Sequence, residues 1–445
     1  RQRIGGRVYT ERVGDVAVDL GASWIHGVDG NPIAELCHKR GIPTAINPDD
    51  RGLIVLADGS QIRHRSLWSE VYQVVDRAGR WARRQDRDMP LSQAVAHIRK
   101  RRVSAAQRSP GPSLSSPSSP STGPSPSPLI DPFIDLGLDW LTLVTGVEID
   151  QLSACYWEQD EELGGAEALF ADGYDRVAKA VAEGLDIELG WTAQAVTRDD
   201  DGVTVRVAAT AAERESSTRE LRGRAAVVTV PLGVLKAGAI TFAPELPAAK
   251  RAAIARLGFG VLDKVALVFE PGPADRAGSA PAQSAGDGPC VARWWPPDFH
   301  NLVVAPSRDH DIIGYTSMNT AGQPVLLGWF AGRTAHALEE RTDSELAEIA
   351  LSNLARVTGA DPRPWLRQVL VSRWARDPLS RGSYSYVPLG ATGAEYDELA
   401  TPVDGQLYFA GEACHRTYPA TVHGAYLSGL RAAEHILADE PGRTE

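Results

Sequence analysis

The first residues able to do chemistry stand at the start of the chain, where RQRIGGR sets Gly5 and Gly6 between Arg3 and Arg7, directly ahead of a strand-like run. Consecutive glycines let backbone N–H groups approach a ligand closely, and the flanking guanidiniums offer forked donors to a phosphate or pyrophosphate. A plain hairpin turn would look the same. Near the other end, LYFAGEACHRTYPATVHGAYLSGLRAA joins a strand to a tight Ala410-Gly411 turn, the acidic Glu412, and a helix beginning near Ala420 and Thr421. A helix start carries free N–H donors and the positive dipole end, so it favours negative charge above it. Glu412 suits ribose-type hydroxyls. Between the ends, Lys264 interrupts the apolar strand GVLDKVALVFE in a chain whose lysines are only Lys39, Lys100, Lys179, Lys236, Lys250 and Lys264. Its plain reading is an ammonium snorkelling from a strand end. Its chemical reading is an ammonium kept in an apolar site, where the pKa shifts readily and a water can be ordered.

The elements that must position these groups are read from pattern. A chain of 445 residues exceeds the size of one hydrophobic core, so two domains or one interleaved pair are expected. Its 43% hydrophobic and 23% charged residues are those of a globular protein. No stretch approaches twenty uninterrupted apolar residues, so neither a membrane span nor a signal peptide is visible. Cys37, Cys155, Cys290 and Cys414 show no CxxC pair and no zinc spacing, which fits free thiols, a reducing, cytoplasmic setting and no metal. The formal charge of -11 argues against nucleic-acid partners and favours cationic small ones.

VYTERVGDVAVDLGASWI reads as two short strands about the Val13-Gly14-Asp15 turn, and NPIAELCHKRG as a helix with Asn31 as N-cap, Pro32 at its first position and Gly41 as its stop. GYDRVAKAVAEGL is helical, and two strands flank the Asp-Asp-Asp-Gly turn that follows. AAVVTVPLGVL predicts a strand buried on both faces, with LDKVALVFE and VLLGWFAG as further strands. The Ser/Pro-rich run Ser104 to Pro128 predicts a disordered insert, and Pro271 to Pro289 a flexible surface loop.

RIGGR at Arg3 to Arg7, DLGASWIHG at Asp19 to Gly27, DKVAL at Asp263 to Leu267, RWARDPLSRGSYSYV at Arg373 to Val387 and LYFAGEACHRTYPATVHGAYLSGLRAA at Leu407 to Ala433 together resemble the flavin-containing amine oxidases. Polyamine oxidases and lysine-specific histone demethylases are the most similar branches. The resemblance implies a mixed α/β fold in which a Rossmann-like FAD-binding domain (1–47, 165–260 and 393–445) interleaves with a substrate domain (48–164 and 261–392). In that family a strand, a GxGxxG turn, a helix and a second strand precede the stretch similar to RQRIGGR. The expectation is therefore a truncated chain whose first βαβ unit is missing, and with it one wall of the dinucleotide site.

Carried over residue by residue, the resemblance assigns FAD contacts to Arg1, Arg3, Gly5, Gly6, Arg7, Gly21, Ala22, Ser23, Trp24, Val196, Trp374, Gly411, Glu412, Ala420, Thr421 and Val422. It makes Lys264 the lysine that holds a water against the flavin, with Trp374 and Tyr384 facing flavin and amine. Thr421 stands where monoamine oxidases place an aromatic, as threonine does in the demethylases. Ser383 replaces the cysteine by which monoamine oxidases bond their flavin, so FAD is expected to be non-covalent. His26 matches a histidine of spermine-type oxidases; Asp160 and Glu161, in the acidic run YWEQDEELGG, are expected to pair with distal ammonium groups. The implied reaction is oxidation of a polyamine C–N bond to an imine, with dioxygen reduced to hydrogen peroxide. The alternatives are a histone demethylase-like oxidase, and a flavin-free fragment or pseudoenzyme. The Ser/Pro segment stands where demethylases carry a long helical hairpin, which favours the polyamine branch.

Overall fold

In a computed structural model, the description covers residues 1–47, 52–63, 67–108, 130–210, 217–270, 295 and 300–439. The apolar run around Lys264 forms the strand Leu262–Phe269, buried from Asp263 onward. It lies in a seven-stranded mixed sheet ordered Leu366–Val371, Leu262–Phe269, Val325–Ala331, Gly314–Ser317, Asn301–Val304, Gly52–Val55 and Gln61–Arg63. Strand alternation sends its side chains to two different cores. Val265, Leu267 and Phe269 pack with Leu346, Ala350 and Leu354 of the helix Asp343–Thr358. Ala266 and Val268 join Val13, Val18, Leu20 and Trp329 on the opposite face. By the same alternation Lys264 belongs to the second face and Asp263 to the first.

Local signals explain many elements. The helix Asp343–Thr358 starts on a capping box in which Thr342 and Glu345 satisfy each other's backbone N–H. Asn31 caps Pro32–Arg40 by accepting from Ile33 N, and Gly41 ends it at φ 65°. The strands Thr10–Val13 and Val16–Asp19 pair antiparallel across Gly14, and Trp191–Asp199 pairs with Gly202–Ala209 across the aspartate-rich turn. Both hairpins stand where expected. Trp24–Ile25, Glu167–Phe170 and Thr44–Asn47 form a three-stranded sheet. The helices Leu67–Ala82, Leu91–Arg108 and Ile130–Thr145 surround a separate core containing Val74, Ala78, Val95 and Leu141. Among the described residues, no helix is long and apolar enough to cross a membrane.

Two expectations are corrected. The strand Ala226–Val228 pairs in parallel with Leu407–Phe409 in a two-stranded sheet, and Val227 is 40% exposed, so it is not buried on both faces. The partner strand Leu407–Phe409 is buried at every residue, so the exposure is confined to the Ala226–Val228 side of the pair. The helix Leu91–Arg108 continues through the first residues of the expected Ser/Pro insert, because Ser104 to Arg108 contain good helix formers and the first proline comes only at Pro110. Residues 109–128 of that segment, and the loop Pro271 to Pro289, lie outside the described residues.

Candidate functional site

The opening turn, the Lys264 strand and the start of the terminal helix line one cavity of about 430 Å³. The opening turn reaches it because Gly21 lets two backbones touch: a Cβ there would stand 1.9 Å from the Arg7 carbonyl oxygen. Ala22 N donates to that same oxygen at 3.1 Å. The hairpin ending at Asp19 and the turn Gly5–Gly6 are thereby locked side by side.

Lys264 sits beneath this junction. Its Nζ donates to Asp19 O at 2.8 Å, to Ser23 Oγ at 2.5 Å and to Gly21 O. Three acceptors from one loop match the three donors of an ammonium. The indole centroids of Trp329 and Trp24 lie 4.7 and 5.7 Å from Nζ. Burial lowers the Lys264 pKa to about 7, with Asp19 and Asp263 pulling the other way. Asp19 is itself pushed up to about 6 by burial, against the opposing effect of Thr10 and Tyr174 N donating to its carboxylate.

Trp374 lines the cavity with its Nε1 donating to Leu20 O at 3.1 Å and its ring edge-on to Tyr9. Tyr384 donates its hydroxyl to Val144 O at 3.0 Å, and burial pushes its phenol pKa up. Ser383 exchanges hydrogen bonds with the backbone of Leu262, its Oγ accepting from N and donating to O, both at 2.9 Å.

Arg7 and Glu412 tie the two ends of the chain together. Arg7 Nη1 donates to Glu412 Oε1 at 2.9 Å and to Ser383 O at 2.7 Å. Glu412 Oε2 accepts from Ser385 Oγ at 2.5 Å and from Ala420 N at 3.0 Å. Both side chains line the cavity and clamp it, Arg7 through Nη1 alone and Glu412 through both carboxylate oxygens. Arg3 braces the turn by donating to Gly6 O at 2.8 Å and stacking over Tyr9. Thr421 caps the helix Val422–Ala438, accepting from Gly424 N at 2.9 Å, and the cap points this helix start at the cavity.

The cavity also takes in Arg1, Gly5, Gly6, Ala22, Trp24, His26, Gly411, Ala420 and Val422. The His26 ring is 62% exposed and its Nδ1 lies 2.7 Å from Glu167 Oε2. Other assigned residues are not brought in. Val196 is buried in the core containing Leu257 and Phe409, and Asp160 and Glu161 are exposed and outside the lining. Lining residues that the sequence pattern does not single out include Leu20, Thr229, Leu262, Trp329 and Gly429. Trp329 faces Lys264 directly across the antiparallel pair, a neighbour that only the strand register reveals.

The residues present fit the flavin end of a dinucleotide. Gly6 and Gly411, at φ 58° and 132°, both line the cavity and have open space where a Cβ would stand. The helix start at Thr421, flat indoles and an ammonium complete a setting for a planar ring with negative charge at one edge.

Comparison with known proteins agrees with that geometry. The family model described as flavin containing amine oxidoreductase matches residues 1–437. Lysine-specific histone demethylase 1 homolog 2 of Arabidopsis thaliana is 34% identical over 98% of this chain and 54% of its own length. Polyamine oxidase 2 of Arabidopsis thaliana is 31% identical over 98% of this chain and 81% of its own. The chain spans about half the length of the demethylase homologues it matches. Among solved structures, a putrescine oxidase redesigned in its cofactor binding superposes with a TM-score of 0.68, at 17% identity, over 98% of this chain and 92% of that one. That likeness is one of fold.

Proposed function

The chain belongs to the flavin-containing amine oxidoreductase family, and from that premise we propose that it oxidises a C–N bond of a small polyamine, using non-covalent FAD. The observation that carries this reading is the meeting of the Lys264 ammonium, the indoles of Trp24, Trp329 and Trp374, and the glycine turns in one cavity. FAD, when bound, supplies the two-electron acceptor and passes the electrons to dioxygen, giving an imine product and hydrogen peroxide.

The chain's own residues do the rest. The N–H groups of the Gly5-Gly6 turn and the helix start at Thr421 would hold the cofactor, and Ser383 offers no sulfur for a thioether. To order a water at the ring edge, Lys264 would release one of its three loop acceptors, since these take all of its N–H donors. The apolar aromatic walls disfavour a charged amine, so the reacting nitrogen keeps the lone pair that oxidation requires. At the exposed rim, Glu167 with His26 offers a carboxylate to a distal ammonium of an extended polyamine.

A second reading, a demethylase-like oxidase acting on a methylated peptidyl lysine, is favoured by the 34% identity to a demethylase homologue over almost the whole chain. Peroxide release from FAD-loaded protein with spermine, spermidine and a methylated histone-tail peptide separates the two. The polyamine reading expects the larger kcat/KM with a polyamine, and a several-fold higher KM in Glu167→Gln. A peptide preferred over every polyamine would install the second reading; no turnover of either would end both.

A further inference from the structure

Directly behind Lys264, on the opposite face of its strand, lies a polar group that the proposed chemistry does not use. Asp263 is fully buried and Glu339, just past the helix Gly332–Leu338, is 2% exposed. Asp263 Oδ1 accepts from Ser372 Oγ at 2.7 Å and from Trp374 N at 3.0 Å. Glu339 Oε1 accepts from the next amide, Ala375 N, at 2.7 Å. Two carboxyl groups therefore grip successive N–H groups of the segment that presents Trp374 to the cavity. Bonded to neighbouring amides of one segment, the two buried carboxyl groups adjoin each other. Asp263 Oδ2 is the oxygen that no N–H or hydroxyl reaches. Two ionised carboxylates side by side without solvent repel, whereas one proton held between them removes a charge and gives that oxygen a partner.

We propose that Asp263 and Glu339 share a single proton and act as a positioning pair, fixing Trp374 as a wall of the cavity. The charged groups around the pair fit one net negative charge. Lys264 is the neighbour on the strand, and Arg373 and Arg376 both donate to Glu339 O at 3.2 Å. Arg373 is also engaged by Asp343, and Arg376 by Glu340. Burial and the adjoining Glu339 raise the Asp263 pKa well above its ordinary value. A second ionisation would leave two like charges in contact with no solvent.

The test uses the full chain. Infrared spectra of wild type at neutral pH should contain a protonated-carboxyl band that Asp263→Asn removes. Asparagine keeps every contact, accepting from Ser372 and Trp374 N while donating to an ionised Glu339. The sign of the stability effect follows from the raised pKa: the folded state holds a proton that the unfolded chain has already lost, so stability falls as pH rises. Relative to Asp263→Asn, the wild-type folding equilibrium should lose about tenfold per pH unit between the ordinary carboxylate range and the pair's own pKa. The positioning role, which rests on the flavin reading, is tested by FAD titration: Asp263→Asn should bind like wild type and Asp263→Ala at least tenfold more weakly. Absence of the band together with parallel pH slopes would overturn the shared proton. An Asp263→Ala protein that folds and binds FAD as wild type does would overturn the positioning role. The first two measurements need no cofactor, so their outcome is independent of whether the chain is an amine oxidase.

Discussion

Lys264 is the residue on which the site turns, and its surroundings make two demands of opposite sign. Burial disfavours the charge, while three acceptors on one short loop are what an ammonium satisfies and a neutral amine does not. Lys264→Met keeps the volume and strands those acceptors. The expected loss is about 1–3 kcal/mol of stability, read by denaturant unfolding. With FAD bound, turnover should fall by about 10²–10⁴-fold, the range for a positioned proton-handling group. Unchanged turnover in a flavin-loaded variant would remove the catalytic role. A pH effect follows as well: with a folded pKa of about 7 against an ordinary lysine value of 10.5, the unfolded chain binds the extra proton across that interval. Stability should therefore gain from this residue as pH rises from about 7, and the Met variant should lack that gain. The slope is opposite to that of Asp263, so each is resolved only against its own single variant.

At the scale of elements, the backbone crossing at Gly21 decides whether the opening turn reaches the cavity. Gly21→Ala places a Cβ against the Arg7 carbonyl, which is backbone and has nowhere to rotate. The hairpin and the turn must separate, so we expect a loss of about 1–3 kcal/mol together with weaker FAD binding. Thr421→Ala, which removes only a cap, should cost about 1 kcal/mol in thermal unfolding and shift FAD affinity less. If the two variants behave alike, the junction at Gly21 has no special part in the site. These elements differ in how openly the sequence carries them. The helix Pro32–Arg40 is legible because Asn31, Pro32 and Gly41 act within one turn of its ends. The Lys264 strand is legible because an apolar run with one charge is a local pattern. Trp329 opposite Lys264, and Glu167 against a histidine 141 positions away, depend on strand register and on sheet order, which no local pattern encodes. The exposed Val227 shows the same limit: an apolar strand announces burial, but its cover is supplied by other parts of the chain.

Over the whole molecule, the cavity is a junction of distant segments. Arg7 meets Glu412 across 405 positions, Lys264 meets Asp19 across 245, and Arg1 pairs with Asp377 at 2.5 Å. None of these contacts lies within one element, so the cavity exists only when the full topology is formed. A ligand that fills it binds the folded state and not the unfolded one, and must raise apparent stability by mass action. FAD at one hundred times its Kd should add about 2.7 kcal/mol, seen as a saturable rise in Tm. Arg7→Ala separates two predictions in one variant. It removes the tie between the ends of the chain, which lowers Tm without ligand, and it loosens the glycine turn, which moves the midpoint of the FAD-dependent rise to higher concentration. Were Arg7 only a surface ion pair, the ligand-free Tm would barely move. A Tm indifferent to FAD at every concentration would detach the cavity from flavin chemistry, whatever the family to which the chain belongs.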